Sequence, residues 1–262
     1  MSEDWEDIFA QKETNPKFPE VYTIETKIKA PLNVLWYNVN FEFLDDYPAK
    51  MPVDFARDMI KLYSNKGDMV YDGFCGSGTV PRVANELGRI GYGSDVNPKA
   101  VDLSKRHDPE NAEKYFISDL SKVNLERKAK LIITSPPFGI SIGGDKNNYS
   151  NEDGDLSNSK SYEEFLIKIK PAFKSYFDNL EPNGLLIFDA RDRTKGSFYF
   201  DLIRHFVNIC VDLGFKVHCK YFYFLMPWSL YTFSNRENHQ VLPNVSTMDV
   251  YVMYKPAYEK LI

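Results

Sequence analysis

Hydrophobic and polar positions along this chain change period several times. Phe55, Met59, Ile60 and Tyr63 recur at helical spacing behind Pro52, a residue tolerated in a first turn, and predict a helix over about 52–64. The runs MVYD at 69–72, IGYGSD at 90–95, YFIS at 115–118, KLIITS at 130–135 and LLIFDA at 185–190 are short, apolar and bounded by turn residues, as strands are. Helical patterns separate them: one ends at Leu87 before Gly88, one covers about 98–106, one runs from Ser161 to about Leu180, and one spans about 199–213 before Gly214. Ser161 with Glu164 forms a capping box, and Pro171 predicts a kink or a break in the helix that follows. Two last strands, KVHCKYFYF from 216 and DVYVMY at 249–254, have no helix between them and predict an antiparallel pair at one edge. Strands that alternate with helices predict an α/β fold: seven strands in a mostly parallel sheet with helices on both faces.

Residues 1–46 read as an N-terminal arm whose Trp36, Tyr37, Phe41 and Phe43 pack on a single domain at 47–262. A Gly/Asn/Asp-rich stretch at 139–160 reads as a mobile loop. With 262 residues, 43% of them hydrophobic, the chain can bury one substantial core. Cys75, Cys210 and Cys219 show no paired CxxC spacing, so neither a disulfide framework nor a zinc site is expected, and a reducing cytoplasm suits them. The acidic N-terminus lacks a secretion signal, and no run reaches the roughly 20 apolar residues that cross a bilayer. A net charge of -5 means that any surface for nucleic acid must be a local basic groove.

The segment Asp72-Gly-Phe-Cys-Gly-Ser-Gly-Thr79 lies between a predicted strand and a predicted helix. Glycines there permit a tight turn and close approach of backbone to a ligand, and open α/β sheets bind ligands at the carboxyl ends of their strands. The spacing is neither the dinucleotide GxGxxG nor a phosphate loop with Gly-Lys-Ser/Thr. Asp95 ends the next strand, where a carboxylate can accept hydrogen bonds from ribose hydroxyls, and Asp119 stands in the matching place after the third. One such aspartate alone is commonly a helix cap or turn residue. Three at successive strand ends beside a glycine turn point to a ligand.

DGFCGSGT resembles the first motif of class I AdoMet-dependent methyltransferases, in the DPFCGSGT form of the DNA amino-methyltransferases; Gly73 departs from the usual proline. The resemblance implies a Rossmann-like methyltransferase fold with S-adenosyl-L-methionine as cofactor. It assigns the methionine end to the turn Asp72, Phe74, Cys75, Gly76, Ser77, Gly78 and Thr79, the ribose to Asp95 with Val96, and the adenine to Asp119 with Leu120. Tyr47-Pro-Ala-Lys-Met-Pro52 is similar to the segment that contacts the methionine end, which adds Pro48.

Strand KLIITS runs into Ser135-Pro136-Pro137-Phe138. Two prolines cannot extend a central strand, so the chain leaves the sheet at its carboxyl edge, beside the expected cofactor. An exocyclic amine is a poor nucleophile because its lone pair is delocalised into the ring. Hydrogen bonds from the NH2 to the Ser135 hydroxyl and the Pro136 carbonyl favour a pyramidal nitrogen aimed at the methyl group. Phe138 can stack on a flipped base. TSPPF resembles the SPP(Y/F) motif of the cytosine-N4 enzymes, whereas adenine-N6 enzymes usually carry Asp or Asn first. The resemblance therefore implies a site-specific DNA-methyltransferase acting on cytosine N4, as in restriction-modification. Cys75 lies in the wrong loop for a ring-carbon enzyme's nucleophile. The cofactor motif precedes the catalytic one, the reverse of many relatives, and circular permutation reconciles the two orders.

Arg191, Arg193 and Lys195 follow the fifth strand, and Trp228 and Arg236 lie in an aromatic-polar loop; these are the candidates for nucleic-acid contact. His205 and His218 lack metal-ligand partners and read as structural, so no metal is expected. Adenine-N6 methylation, RNA base amine methylation and a silent AdoMet-fold subunit are the alternatives. The oligomeric state is open, a homodimer included.

Overall fold

The computed structural model describes residues 34–38, 51–137, 150, 152, 154–195, 198–226 and 247–257. In chain order the elements are β1 (Val34–Asn38), α1 (Val53–Tyr63), β2 (Met69–Asp72), α2 (Thr79–Glu86), β3 (Ile90–Asp95), α3 (Pro98–His107), β4 (Tyr115–Ile117), β5 (Ala129–Thr134), α4 (Tyr162–Asn179), β6 (Leu180–Ala190), β7 (Arg193–Lys195), β8 (Phe198–Phe200), α5 (Leu202–Asp212), β9 (Lys216–Met226) and β10 (Thr247–Tyr254). Eight strands form one sheet in the order β1-β9-β10-β6-β5-β2-β3-β4, while β7 and β8 make a separate hairpin.

Every described pairing in the large sheet is parallel except the two made by β10, which runs antiparallel to both β6 and β9. The expected mostly parallel sheet is present, but its antiparallel pair is not at the edge as expected: the stretch read as an arm adds an eighth strand outside β9, so β10 lies third from the edge. Leu35 and Tyr37 of that strand are buried, and the Tyr37 ring meets Phe55 of α1 edge-on. Strand alternation divides the core between the two faces. Val70, Leu131, Ile133, Ile187 and Val252 pack beneath α1 and α2, whereas Tyr71, Ile132, Leu186, Phe188 and Met253 pack beneath α4 and α5. Near-continuous apolar strands are what a sheet covered on both faces requires.

Three local features differ from expectation. Helix α4 is not split at Pro171, because Phe165, Ile169, Ala172, Phe173 and Tyr176 are buried on both sides of it. That burial outweighs the roughly 3 kcal/mol a mid-helix proline costs. Phe198–Phe200 is a strand rather than the start of a helix; α5 begins after Asp201, whose carboxylate caps the Arg204 N–H at 3.1 Å. Strand β6 extends back to Leu180 through a register shift opposite β5. The Ser161 cap is as expected, its hydroxyl accepting the Glu164 N–H at 3.1 Å.

Candidate active site

Strands β2 and β5 are adjacent and parallel, with Tyr71 opposite Ile132. Both therefore end at the same rim. The chain turns sharply after β2: Gly76 and Gly78 have φ of 52° and 87°, in the left-handed region that side chains disfavour. At Gly78 space forbids a side chain as well, since a Cβ would lie 2.9 Å from Ser104 Cβ and 3.1 Å from the Tyr115 ring. The turn is pinned from below. The Ser104 hydroxyl donates to the Gly76 carbonyl at 2.8 Å, and the Cys75 N–H donates to Ser94 O at 3.0 Å.

Buried carboxylates converge on this rim. Asp72 is 4% exposed, and its Oδ1 accepts the Phe74 N–H at 3.0 Å and the Thr134 hydroxyl at 2.8 Å. Thr134 is the last residue of β5, so that bond ties the glycine turn directly to the strand carrying Ser135 and Pro136. The Tyr176 hydroxyl completes the chain, donating to Thr134 Oγ1 at 2.9 Å and accepting the Gly73 N–H at 3.2 Å. Asp95 accepts the N–H groups of Gly76 and Asn97, each at 2.9 Å. Burial pushes Asp72 up to about 7 and Asp95 to about 6, and neighbouring carboxylates add to both shifts. Among the described residues neither carboxylate has an Arg or Lys partner. A pocket built this way suits a ligand that brings its own positive charge.

The sequence reading passed over a further carboxylate, Asp189. Thr134 pairs with Phe188, so Ser135 and Asp189 follow side by side at the rim. Asp189 is 2% exposed; Oδ2 accepts the Tyr223 hydroxyl at 2.6 Å, while Oδ1 has no hydrogen-bond partner among the described residues. The Ser135 hydroxyl lies close enough to favour the ionised carboxylate, yet burial dominates and raises Asp189 to about 6.

Over 78% of its length the chain superposes on TrmN from Thermus thermophilus, covering 49% of that protein, with a TM-score of 0.50 and 15% sequence identity. It superposes equally on magnesium protoporphyrin IX methyltransferase from Synechocystis PCC 6803 with bound SAH: TM-score 0.50, 14% identity, 78% of this chain and 81% of that one. The fold is the Rossmann-like AdoMet-dependent methyltransferase fold. In sequence, residues 4–106 of this methyltransferase-fold chain match the family described as DNA methylase, a stretch that includes the glycine turn and Asp95 and ends before Asp119 and Ser135. A tRNA (guanine(10)-N2)-dimethyltransferase of Methanothermobacter thermautotrophicus is 30% identical over 154 residues, 55% of this chain and 39% of that protein. Type II methyltransferase M.BglI of Bacillus subtilis is 37% identical over 84 residues, 32% of this chain and 23% of that protein. The matches thus span well under half of either curated relative.

Within the methyltransferase fold, Ser135 and Pro137 are half-buried and Pro136 is buried. Cys75, Ser77 and Leu120 are buried, with Phe74 packed on the Tyr176 ring. Asp119 caps a short turn, its Oδ1 accepting the Ser121 N–H at 3.0 Å and hydroxyl at 2.8 Å. Arg191 is exposed at the rim after β6. The backbone of Arg193 and Lys195 forms β7, their side chains lying outside the described residues, as do Pro48, Phe138, Trp228, Arg236 and the loop at 139–149. Among the described residues no His, Cys, Asp and Glu cluster could hold a metal, and no helix is long and apolar enough to cross a membrane. The sequence signal for Asp189 is a strand that ends Ile-Phe-Asp, which pairing lays beside β5, the strand that leads into Ser135.

Proposed function

We propose that this chain binds AdoMet over the turn Asp72–Thr79 and transfers its methyl group to an exocyclic amine of a nucleic-acid base, with cytosine N4 in DNA the favoured target. The observation that carries this reading is the bond from Thr134 to Asp72, which brings the expected cofactor turn and the expected catalytic tetrapeptide to one rim. The DNA methylase match and M.BglI support the DNA reading. The fit to AdoMet rests on the glycines whose backbone a ligand can approach and on buried carboxylates that have no cationic partner among the described residues.

When bound, AdoMet supplies an electrophilic methyl group on a positively charged sulfur. The chain does the rest. Asp72 and Asp95 provide negative charge for a cation, and Asp95 with Asp119 provides acceptors for the nucleoside. The Ser135 hydroxyl oxygen and the Pro136 carbonyl accept the two amine N–H bonds, which turns the nitrogen lone pair toward the methyl carbon. As the N–C bond forms and the C–S bond breaks, positive charge moves onto the nitrogen and acidifies its N–H. Ser135 takes that proton and passes its own to Asp189, whose carboxylate the Ser135 hydroxyl approaches and whose proton affinity burial raises to about 6.

A second reading is supported by the curated relative named for a tRNA guanine N2 position, matched over 154 residues. Incubation with methyl-labelled AdoMet and either duplex DNA or tRNA, followed by nucleoside analysis, separates the two. Labelled N4-methyldeoxycytidine is expected. Label at deoxyadenosine or in tRNA reassigns the target, and bound AdoMet without transfer to either polymer refutes catalysis.

A further inference from the structure

Between the catalytic tetrapeptide and α4 the chain makes a compact turn that the reaction outlined above leaves unused. Asp155 is its centre and is buried. One carboxylate oxygen accepts the Ser157 N–H at 2.9 Å and hydroxyl at 2.6 Å; the other accepts the Ser150 N–H at 2.6 Å and hydroxyl at 2.9 Å. The Asn158 side chain closes the turn by donating to Ser150 O at 3.1 Å. Leu156 anchors it on the core cluster that contains Leu120.

This hydrogen-bonded turn sits against two residues from other strand ends. A Cβ at Gly154 would lie 2.9 Å from Val96 Cγ2, 3.3 Å from Asp119 Cβ and 3.4 Å from Asp119 Cγ. Val96 follows β3 and Asp119 follows β4, so Gly154 fits between the residues expected to flank the nucleoside. The Asp155 charge also reaches Asp95, the expected ribose acceptor. We propose that the turn Gly154–Ser159 is the outer wall of the nucleoside pocket, and that Gly154 fixes the size of the adenine edge that this pocket admits. The proposal rests on the AdoMet reading above. It makes one connection carry both the amine acceptors at its start and a cofactor wall at its end, so that backbone, not a side chain, bounds the adenine.

Titration calorimetry with S-adenosylhomocysteine, the methyl-free product, tests it on the full chain. Gly154→Val should weaken binding at least tenfold, and Gly154→Ala by a smaller factor, with circular dichroism unchanged. Hydrogen exchange of wild-type protein gives a readout independent of folding defects: the amides of Ser157 and Asn158 should gain protection when the ligand binds. Wild-type binding with Gly154→Val within twofold of it overturns this proposal alone. Loss of protection at 157–158 on binding also overturns it, because the turn would then be a plug that leaves. Absence of any wild-type binding overturns both this proposal and the AdoMet reading.

Discussion

Proton linkage at the proposed cofactor turn gives the most exacting prediction. In the ligand-free protein Asp72 titrates at about 7 and Asp95 at about 6, each pushed up by burial and by neighbouring acids. A bound sulfonium favours the ionised form of both. At pH 6 the free protein then holds Asp72 about nine-tenths protonated and Asp95 about half protonated, so binding must expel those protons at a cost of about elevenfold and twofold in affinity. At pH 8 both costs are nearly gone. The AdoMet dissociation constant should therefore fall about twentyfold from pH 6 to pH 8, or about 2 kcal/mol.

Calorimetry across that range measures the constant, and repeating it in buffers of different ionisation enthalpy counts the protons released. Asp72→Asn should abolish most of the dependence and leave the roughly twofold part due to Asp95. A wild-type constant that stays flat within twofold would refute the premise that these carboxylates serve the cation.

The other expectations concern the rim and the fold. Ser135→Ala should cut turnover about a hundredfold or more and leave AdoMet affinity unchanged in calorimetry; equal loss of both would make Ser135 structural. Asp189→Asn should lower turnover at least tenfold and remove a rate limb titrating near pH 6, the value to which burial raises this carboxyl; a wild-type pH–rate profile in the variant rules the proton path out. Thr134→Val removes the hydroxyl between Tyr176 and Asp72 and should cost about 1–3 kcal/mol in urea denaturation, whereas a loss under 0.5 kcal/mol, roughly the noise of surface substitutions, contradicts the network. Because the folded values of Asp72 and Asp95 are raised, the folded state binds more protons than the unfolded chain, and their contribution to stability is full below about pH 4 and lost as pH rises through 6 to 7. Melting temperature without cofactor should thus fall from pH 5.5 to pH 8, and saturating AdoMet should flatten the trend.

Much of this was legible in the residues because parallel sheets leave strong local marks. A strand buried on both faces reads as an apolar run, so MVYD and IGYGSD coincide with β2 and β3 to the residue. Capping chemistry is equally local, as at Ser161 and Asn97, whose side chain accepts the Lys99 N–H at 3.0 Å. What escaped was non-local. Val34–Tyr37 is a short apolar run with no predicted strand beside it in the sequence, and its strand partner, β9, lies almost two hundred residues away. Pro171 read as a kink or a break because its cost is local and its compensation is not. Asp189 looks like any strand-end aspartate until β5 is laid beside β6.

The position of β1 bears on the chemistry as well as on the fold. Tyr223 reaches Asp189 across β10, and it could do so in many rotamers were its ring not fixed. Phe55 lies 4.8 Å from that ring and Tyr37 of β1 meets it edge-on at 5.8 Å, while the Tyr37 hydroxyl is itself held by Asp58 at 3.1 Å. An edge-on aromatic pair such as Tyr37–Tyr223 contributes about 0.5–1.5 kcal/mol, a bias of about twofold to tenfold toward the paired rotamer. The path therefore runs from α1 and β1 through Tyr223 to the carboxylate beside Ser135. The stretch that reads as an appendage thus buttresses the carboxylate proposed to take the proton, and the same packing that excludes water from Asp189 raises its proton affinity to about 6.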